Sequence, residues 1–312
     1  MALRDTLPLL PSLMAISCGV ALSLGCMTGC ADPAEPDAEP DMGAAESDIL
    51  GGRADARTAP AVGSLVRIFP MANGEGYESF CTATLIAPKV VLTAKHCTLQ
   101  ANGKWGFATG AYATTDIVTG RGPDRFVAAE RAEEESTITG GDGLGLGSDV
   151  ALVHLEHAIT DIKPLAIDAL VDQDVGKTFT AIGYGVREGG SSGQRRSATV
   201  LLEARKGKVL PPLVSFIDYD RASGGDAAAN RAAYEHIALL DGYEAVTGPD
   251  ATGARLCSGD SGGPLLATRA RKLRVVGVAS YVLGTPTDPC VFGTVYATFG
   301  PAARAMIDRA LR

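Results

Sequence analysis

Eight short runs rich in Val, Ile, Leu and Thr constrain most strongly what this chain can fold into. Each run is six to ten residues long and is bounded by Gly, Pro or Asp. Such runs predict strands, and their close spacing predicts an all-β protein built from antiparallel sheets or barrels. The 38 glycines and 17 prolines agree, because they favour short elements joined by turns over a helical bundle. The runs are SLVRIF, FCTATLIA, KVVLTA, VALVHL, TFTAIGYG, ATVLLEA, LRVVGVASYV and TVYATF.

The end of the chain and one internal stretch have the apolar spacing of a helix instead. GPAARAMIDRALR, at residues 300–312, predicts a closing C-terminal helix. AAANRAAYEHIALL lies within an Ala-, Gly- and Asp-rich stretch at 220–255, and indicates a helix inside a long insertion.

The N-terminus is typical of a targeting segment. Residues 6–29 are mostly apolar and end in the tetrapeptide MTGC, which resembles the lipobox of bacterial lipoproteins, in which the Cys becomes lipidated. We therefore predict a lipoprotein-like signal peptide at 1–30 with lipidation at Cys30; an ordinary secretory signal cut nearby is the alternative. Residues 31–48 are rich in Pro and acids, and predict a disordered acidic propeptide or linker.

The number of cysteines is consistent with export. Of seven cysteines, Cys18 and Cys26 would leave with the signal peptide, and Cys30 would carry the lipid. An even set of four remains in the body, where export would allow disulfides to persist. These four are Cys81, Cys97, Cys257 and Cys290.

The charge of the chain argues against a nucleic-acid partner. The net charge is −8, but residues 31–48 hold seven acids and no base. Residues 49–312 therefore carry a net charge of only −1, which gives nucleic-acid binding no electrostatic support.

Three separated side chains have the chemistry of nucleophilic catalysis. His96 follows the strand run VVLTA, Asp149 precedes the run VALVHL, and Ser261 lies in the glycine-rich GDSGG. A serine hydroxyl is a poor nucleophile until an imidazole takes its proton, and a buried carboxylate orients that imidazole. The neighbouring glycines leave backbone N–H groups free to stabilise an oxyanion. A bridge between Cys81 and Cys97 would hold the backbone around the histidine.

The motif GDSGG also fits the nucleophile elbow of α/β-hydrolases, but the chain order excludes that fold. An α/β-hydrolase needs its catalytic histidine after the serine. All four histidines precede Ser261; they are His96, His154, His157 and His236.

Six sequence blocks resemble those of trypsin-like (chymotrypsin-fold) serine proteases, and they occur in the same order. They are ILGG, LTAKHC, SDVALVHL, GYG, CSGDSGGP and VASY. The resemblance spans residues 49–312 and implies a protease domain of two six-stranded antiparallel β-barrels with a C-terminal helix. It implies a serine endopeptidase that needs neither a cofactor nor a metal ion.

The resemblance also implies the role of each site residue. His96 would be the general base, Asp149 would orient it and Ser261 would be the nucleophile. The N–H groups of Gly259 and Ser261 would form the oxyanion hole, and Ser280 would support Asp149 and line the substrate cleft. Two disulfides of the family match Cys81–Cys97 and Cys257–Cys290.

By the same resemblance, the protein is made as a zymogen. Cleavage before Ile49 would free an α-amine that pairs with Asp260 and shapes the oxyanion hole. Asp48 stands before the cut, where the family often has Arg or Lys. A trypsin-like activator does not suit this bond, so the activator is a different protease or the protein itself.

The primary specificity pocket gives two conflicting signals. Arg255 occupies the position that resembles the pocket floor, and a guanidinium there would attract an acidic side chain before the scissile bond. If GTVYATF aligns with the family's segment after the pocket loop, the resemblance also implies that Val282 and Thr294 fall on the pocket walls. Bulk there favours small aliphatic side chains, as in elastases, and Arg255 would then pair with an internal carboxylate. The sequence leaves both preferences open.

The predicted function is therefore that of an exported serine endopeptidase, secreted or lipid-anchored to a bacterial cell envelope. Its partners would be a protein or peptide substrate and an activating protease or itself. It would contact no nucleic acid, and would contact a membrane only through the lipid. The alternative is a non-catalytic relative that acts as a binding or adhesion module, although such relatives usually lose a member of the triad.

Overall fold

The computed structural model describes residues 49, 52–55, 57–72, 74–135, 148–186, 190–250 and 253–312. The predicted signal peptide with Cys30, and the acidic segment that ends at Asp48, lie outside these residues. No helix in the described part of the chain is long and apolar enough to cross a bilayer.

The first half of the described chain forms a closed six-stranded barrel. Its strands are joined in the order β2-β3-β4-β7-β6-β5, and every pairing is antiparallel. The short helix α1 (Lys95–Gln100) follows β4. The strands are β2 (Val62–Met71), β3 (Gly74–Ala87), β4 (Val90–Thr93), β5 (Trp105–Thr109), β6 (Arg125–Glu134) and β7 (Ala151–Leu155).

The second half forms another ring of six strands, in the order β9-β10-β11-β14-β13-β12, which closes where β12 pairs with β9. Two short strands extend it: β1 (Arg53–Ala54) pairs with β10, and β8 (Ala166–Ile167) lies parallel to β13. The predicted two six-stranded barrels are thus confirmed. The ring strands are β9 (Thr178–Gly183), β10 (Arg196–Ala204), β11 (Glu244–Pro249), β12 (Pro264–Arg269), β13 (Lys272–Leu283) and β14 (Gly293–Ala297).

One continuous apolar core joins the two barrels to the C-terminal helix α4 (Pro301–Ala310). The helix begins with a proline in its first turn, where the missing N–H costs nothing. It buries Ala303, Met306 and Ile307, which share one face because they are three or four residues apart. The predicted closing helix is confirmed.

Two helices build the insertion between β10 and β11. They are α2 (Phe216–Ser223), capped by the Ser215 hydroxyl, and α3 (Ala227–His236), capped by the Asp226 carboxylate. The sequence indicated α3 but not α2. The insertion packs on the second barrel through Tyr219, whose ring centroid lies 5.6 Å from that of Phe292.

A buried carboxylate fastens the turn before β9 to the end of β12. The Asp174 side chain is 1% exposed and accepts hydrogen bonds from Arg269 Nη2 at 2.5 Å and from Val171 N at 3.1 Å. Lys177 Nζ lies 3.4 Å from the same carboxylate. Burial raises the pKa of Asp174, but the Arg269 and backbone hydrogen bonds outweigh it and hold the pKa below its ordinary value.

We expect Arg269→Met to lower the free energy of unfolding by about 2 kcal/mol at pH 7, because it leaves a buried carboxylate short of its partner; this is less than for a fully buried pair, since Arg269 is partly exposed. Because the pKa of Asp174 is lower in the folded state, its ionisation stabilises the fold above the unfolded-state pKa, and this stabilisation disappears as the pH falls through the folded-state pKa. The destabilisation caused by Arg269→Met should therefore become smaller below about pH 4. Urea unfolding at pH 7 and pH 3 measures this destabilisation, with the exposed Arg304→Met as control. An equal destabilisation at both pH values would contradict the prediction.

Candidate active site

Strand pairing in the first barrel brings His96 and Asp149 together. Strands β4 and β7 are antiparallel, with Thr93 opposite Ala151. The end of β4 therefore lies beside the start of β7. His96 comes just after β4, in the first turn of α1, and Asp149 comes just before β7.

The two side chains form a tight hydrogen-bonded array with Ser280. His96 Nδ1 lies 2.7 Å from Asp149 Oδ2, and the His96 backbone N–H donates to Asp149 Oδ1 at 2.9 Å. The Ser280 hydroxyl donates to Asp149 Oδ2 at 2.7 Å. Because Asp149 occupies Nδ1, Nε2 is the ring nitrogen that faces away from the carboxylate. The His96 side chain is 20% exposed.

Asp149 is ionised in this setting. Its side chain is 1% exposed, and burial by itself raises the pKa of the carboxyl group. The hydrogen bond and charge of His96, together with the Ser280 hydrogen bond, outweigh that effect and hold the pKa of Asp149 below its ordinary value. A carboxylate that stays charged can stabilise an imidazolium beside it.

Ser261 lies on a turn of the second barrel that packs against the backbone leading to His96. Its carbonyl accepts from Thr82 N at 2.7 Å, and the next residue, Gly262, donates its N–H to Ala279 O at 2.7 Å. A Cβ on Gly262 would lie 3.1 Å from the backbone nitrogen of Ala94, two residues before His96.

No hydrogen bond joins Ser261 Oγ to His96 Nε2 within the part of the chain that the structure describes. Nε2 instead lies 3.7 Å from Cys97 Sγ. Catalytic hydrogen bonds are commonly long before a substrate is bound, and they tighten in the substrate complex.

The turn around Ser261 presents two unpaired backbone donors. Among the described residues, no acceptor is bonded to the N–H groups of Gly259 and Ser261, whereas those of Asp260 and Gly262 donate to Cys257 O and Ala279 O. Gly259 has φ +90°, a conformation that glycine adopts without strain. Two free amides that alternate with bonded ones can converge on a single oxyanion.

Thr82 is a site residue that sequence reasoning missed. It is fully buried on β3 of the first barrel, and its backbone N–H donates to Ser261 O. Its hydroxyl donates to Gly259 O at 3.1 Å and accepts from Tyr184 N at 3.0 Å. One threonine therefore ties the first barrel to the turn that carries Ser261. Its only signal in the sequence is its place directly after Cys81.

Both disulfides flank the site. Cys81–Cys97 joins β3 to the helix that begins beside His96, and Cys257–Cys290 joins the Ser261 turn to the loop between β13 and β14. Cys81, His96 and Cys97 also form a cluster of potential metal ligands within 4.8 Å of one another. The disulfide occupies both sulfurs, which leaves the imidazole as the one nitrogen ligand of that cluster.

Asp260 and Ile49 are both buried, each 1% exposed. Asp260 Oδ1 accepts from Gly185 N at 2.8 Å, and its Oδ2 accepts from Cys257 N at 2.9 Å. A Cβ on Gly185 would lie 2.6 Å from Asp260 Cγ, so the second glycine of the GYG block is needed for this approach. The Ile49 side chain packs in a separate small cluster with Ala198 and Ala254.

A small pocket opens beside Ser261, and three residues of the predicted substrate site line it: Ser280, Val282 and Thr294. Its volume is about 10 Å³, which on that measure is the space of about one water molecule. Arg255 is not among the lining residues; its Nη2 lies 3.0 Å from Asp288 Oδ2. The remaining lining residues are Leu256, Cys257, Asp260, Ala279 and Tyr281.

A larger apolar groove adjoins the small pocket, and Val282 lines both. Its volume is about 300 Å³. The insertion supplies one wall through Tyr219 and Ile237, and the segment after β13 supplies the other through Gly284 and Thr285. Sequence reasoning missed this groove because it depends on how the insertion docks.

Comparisons with known proteins agree with this architecture. Residues 61–210 match the family model described as Trypsin; the matched range contains His96 and Asp149 and ends before Ser261. Mouse neuropsin, described as a serine protease expressed in the limbic system of the brain, has a similar structure at 18% sequence identity. The match covers 84% of this chain and 100% of that one, with a TM-score of 0.54. The structural match shows the chymotrypsin-like fold, and the two matches together support a trypsin-like family and a peptidase.

Proposed function

We propose that this chain is a serine endopeptidase that hydrolyses peptide bonds through His96, Asp149 and Ser261. The observation that carries the proposal is the hydrogen-bonded array of His96, Asp149 and Ser280, which lies beside a serine turn with two free amides. Burying a carboxylate is costly even when it is paired, so such an array is weak evidence of a stabilising role, and we attribute it to catalysis.

In the proposed reaction, His96 Nε2 takes the proton of Ser261 as Oγ attacks the scissile carbonyl carbon. Asp149 stabilises the imidazolium through Nδ1, and the N–H groups of Gly259 and Ser261 stabilise the oxyanion. The imidazolium then gives its proton to the leaving amine, which leaves an acyl-enzyme on Ser261. Water, deprotonated by His96, hydrolyses the ester in the same way and restores the serine.

We further propose that the protein is a zymogen activated by cleavage before Ile49. Asp260 lies next in sequence to Ser261, and its carboxylate holds the backbone of Gly185 and Cys257. A new α-amine at Ile49 would add a cation to this buried carboxylate, which favours its ionised form. The buried position of the Ile49 side chain supports this docking.

The pocket supports a preference for a small aliphatic side chain before the scissile bond. Val282 and Thr294 line its walls, and its small volume favours a small side chain over an aromatic or arginine one. The Arg255 guanidinium is engaged by Asp288, so it offers no free cation for an acidic side chain. With this preference the protein would not cut its own Asp48–Ile49 bond, and a separate activating protease with an acidic preference is required.

The groove beside Val282 supports a further preference for an apolar side chain upstream in the substrate. A peptide that fills the small pocket and continues along β13 passes this groove, since the two share Val282. Burying one leucine-sized side chain there would stabilise the complex by about 1.5–3 kcal/mol.

Export is part of the proposal, and the two disulfides support it, because disulfides persist in oxidising compartments. If Cys30 carries a lipid, activation also releases the enzyme. Residues 31–48 contain no cysteine, so cleavage before Ile49 would break the only covalent link between the anchor and the protease domain. Mass spectrometry of the natural protein tests both points, by showing whether Cys30 is acylated and whether a species begins at Ile49.

Profiling with a peptide library tests the proposed activity. Protein that begins at Ile49 is incubated with the library, and the cut sites are read by mass spectrometry. We expect internal peptide bonds to be cut after Ala or Val, with a Leu or Phe enriched upstream. Cleavage after Asp or Glu alone would overturn the small-aliphatic preference, and no cleavage of any peptide would favour a binding module.

Opening the pocket should broaden the specificity. We expect Val282→Gly combined with Thr294→Gly to raise kcat/KM for substrates with Phe before the scissile bond at least about tenfold, because the walls no longer exclude the ring. Activity on alanyl substrates should fall, since a small side chain then leaves a void. Kinetics on matched alanyl and phenylalanyl peptides measure both changes. Val175→Gly, at an exposed apolar position, is the matched control; unchanged discrimination would contradict the pocket assignment.

A further inference from the structure

We propose that Asp288 is a specificity-determining residue: it engages the guanidinium of Arg255 and thereby prevents the enzyme from accepting acidic side chains before the scissile bond. This inference rests on the proposed function, because it concerns the same substrate pocket. No sequence motif indicates such a role for Asp288.

The contact between the two side chains is direct. Arg255 Nη2 donates to Asp288 Oδ2 at 3.0 Å, and in the described part of the chain no other carboxylate forms an ion pair with this arginine. The pair is partly exposed, at 27% for Arg255 and 41% for Asp288. An ion pair this exposed is modest in strength, so it redirects the guanidinium without being needed for the fold.

Asp288 is itself held in place by its loop. Its Oδ1 accepts from Cys290 N at 3.2 Å, and its backbone N–H donates to the Thr285 hydroxyl at 2.9 Å. Thr285 N in turn donates to Asp288 O at 2.8 Å. The Cys257–Cys290 disulfide joins this loop to the turn that follows Arg255 and carries Ser261. The carboxylate is therefore preorganised beside the arginine.

Arg255 is one residue away from the pocket wall. The next two residues, Leu256 and Cys257, both line the pocket, whereas Arg255 does not. Its Nε is buried and makes no hydrogen bond in the described structure. The present orientation therefore has the cost of one unsatisfied donor. We attribute this orientation to the Asp288 contact, which offsets that cost and holds the guanidinium away from the pocket.

Asp288→Asn tests the inference with a minimal change. An asparagine keeps an oxygen that can accept from Cys290 N, but it has no negative charge to hold Arg255. We expect the ratio of kcat/KM for glutamyl over alanyl peptides to rise about three- to tenfold, the range for one charged hydrogen bond at a partly exposed site. Combining Asp288→Asn with Arg255→Gln should abolish this rise, because the cation is then absent.

Asp161→Asn is the matched control, since it removes one exposed carboxylate that pairs with Arg125 in the first barrel. It should leave the ratio unchanged. A change below twofold in Asp288→Asn, or a rise that persists in the double variant, would overturn the inference. Active-site titration with a fluorophosphonate distinguishes failure of this inference from failure of the proposed function. If the wild-type protein is neither labelled nor able to cut alanyl peptides, the proposed function is wrong. If the wild type is active but Asp288→Asn leaves the glutamyl-over-alanyl ratio unchanged, only this inference is wrong.

Discussion

Ser261→Ala is expected to lower kcat/KM for peptide hydrolysis by about 10⁵-fold, the largest effect of any single substitution in this chain. The variant loses the only oxygen that can form the acyl-enzyme in the proposed mechanism. Its fold should be unaffected, because the contacts that hold the turn in place are made by the backbone of Ser261 and Gly262. The residual rate would come from the oxyanion donors and substrate binding.

Two readouts measure this loss on protein that begins at Ile49: the kinetics of an alanyl peptide and covalent labelling by a fluorophosphonate. Ser258→Ala is the matched control, because Ser258 is an exposed serine on the same turn. The control should label fully and keep kcat/KM within about threefold, as expected for a surface substitution. Full labelling of Ser261→Ala would disprove the assignment of the nucleophile.

The effects of substituting the proposed catalytic residues should also be non-additive. His96→Ala is expected to lower kcat/KM nearly as much as Ser261→Ala, and the double variant little more than either, because in the proposed mechanism the nucleophile and its base act as one unit. Additive losses in the double variant would mean that the two side chains act in separate steps.

Cleavage before Ile49 is expected to raise kcat/KM by about 10³-fold, the second-largest effect, because losing even one oxyanion donor costs about 10²- to 10³-fold. In the proposed activation, the freed amine pairs with Asp260, which lies between the two residues that donate to the oxyanion. The uncut chain lacks that cation.

The experiment replaces residues 45–48 with the recognition sequence of a protease of known specificity, so that cutting leaves Ile49 as the first residue. The control carries one extra glycine before Ile49; it is cut equally well but its amine is displaced by one residue. We expect the first form to gain activity on cutting and the control to stay near the uncut level. Equal activity before and after cutting, or equal activity of both cut forms, would contradict activation through Ile49.

Strands with β-branched residues were predictable from the sequence, and all eight runs overlap strands of the structure. Strand β6 (Arg125–Glu134) was not, because its sequence RFVAAERAEE is rich in Ala, Glu and Arg, which local propensity does not favour in strands. It is a strand because it completes the first barrel between β5 and β7. Helix α2 was missed for a related reason: it is short and its packing comes from Tyr219 meeting the second barrel.

For the site, the sequence identified the candidate catalytic side chains but not the contacts between them. His96, Asp149 and Ser261 stand in motifs with local signatures, so each could be named from its neighbours. Thr82 and Asp288 have no such signature, since each acts through a partner more than thirty residues away in the chain.

The amino-acid sequence by itself determined the strand-rich character of this protein, the order of its candidate catalytic residues and the two alternatives for its specificity. These properties depend on residue type and local spacing, which the linear chain contains. Only the tertiary structure decided that the Arg255 guanidinium meets Asp288 while Val282 and Thr294 line the pocket. The direction of a long side chain depends on which charges the fold brings near it, and barrel closure and loop docking set those distances.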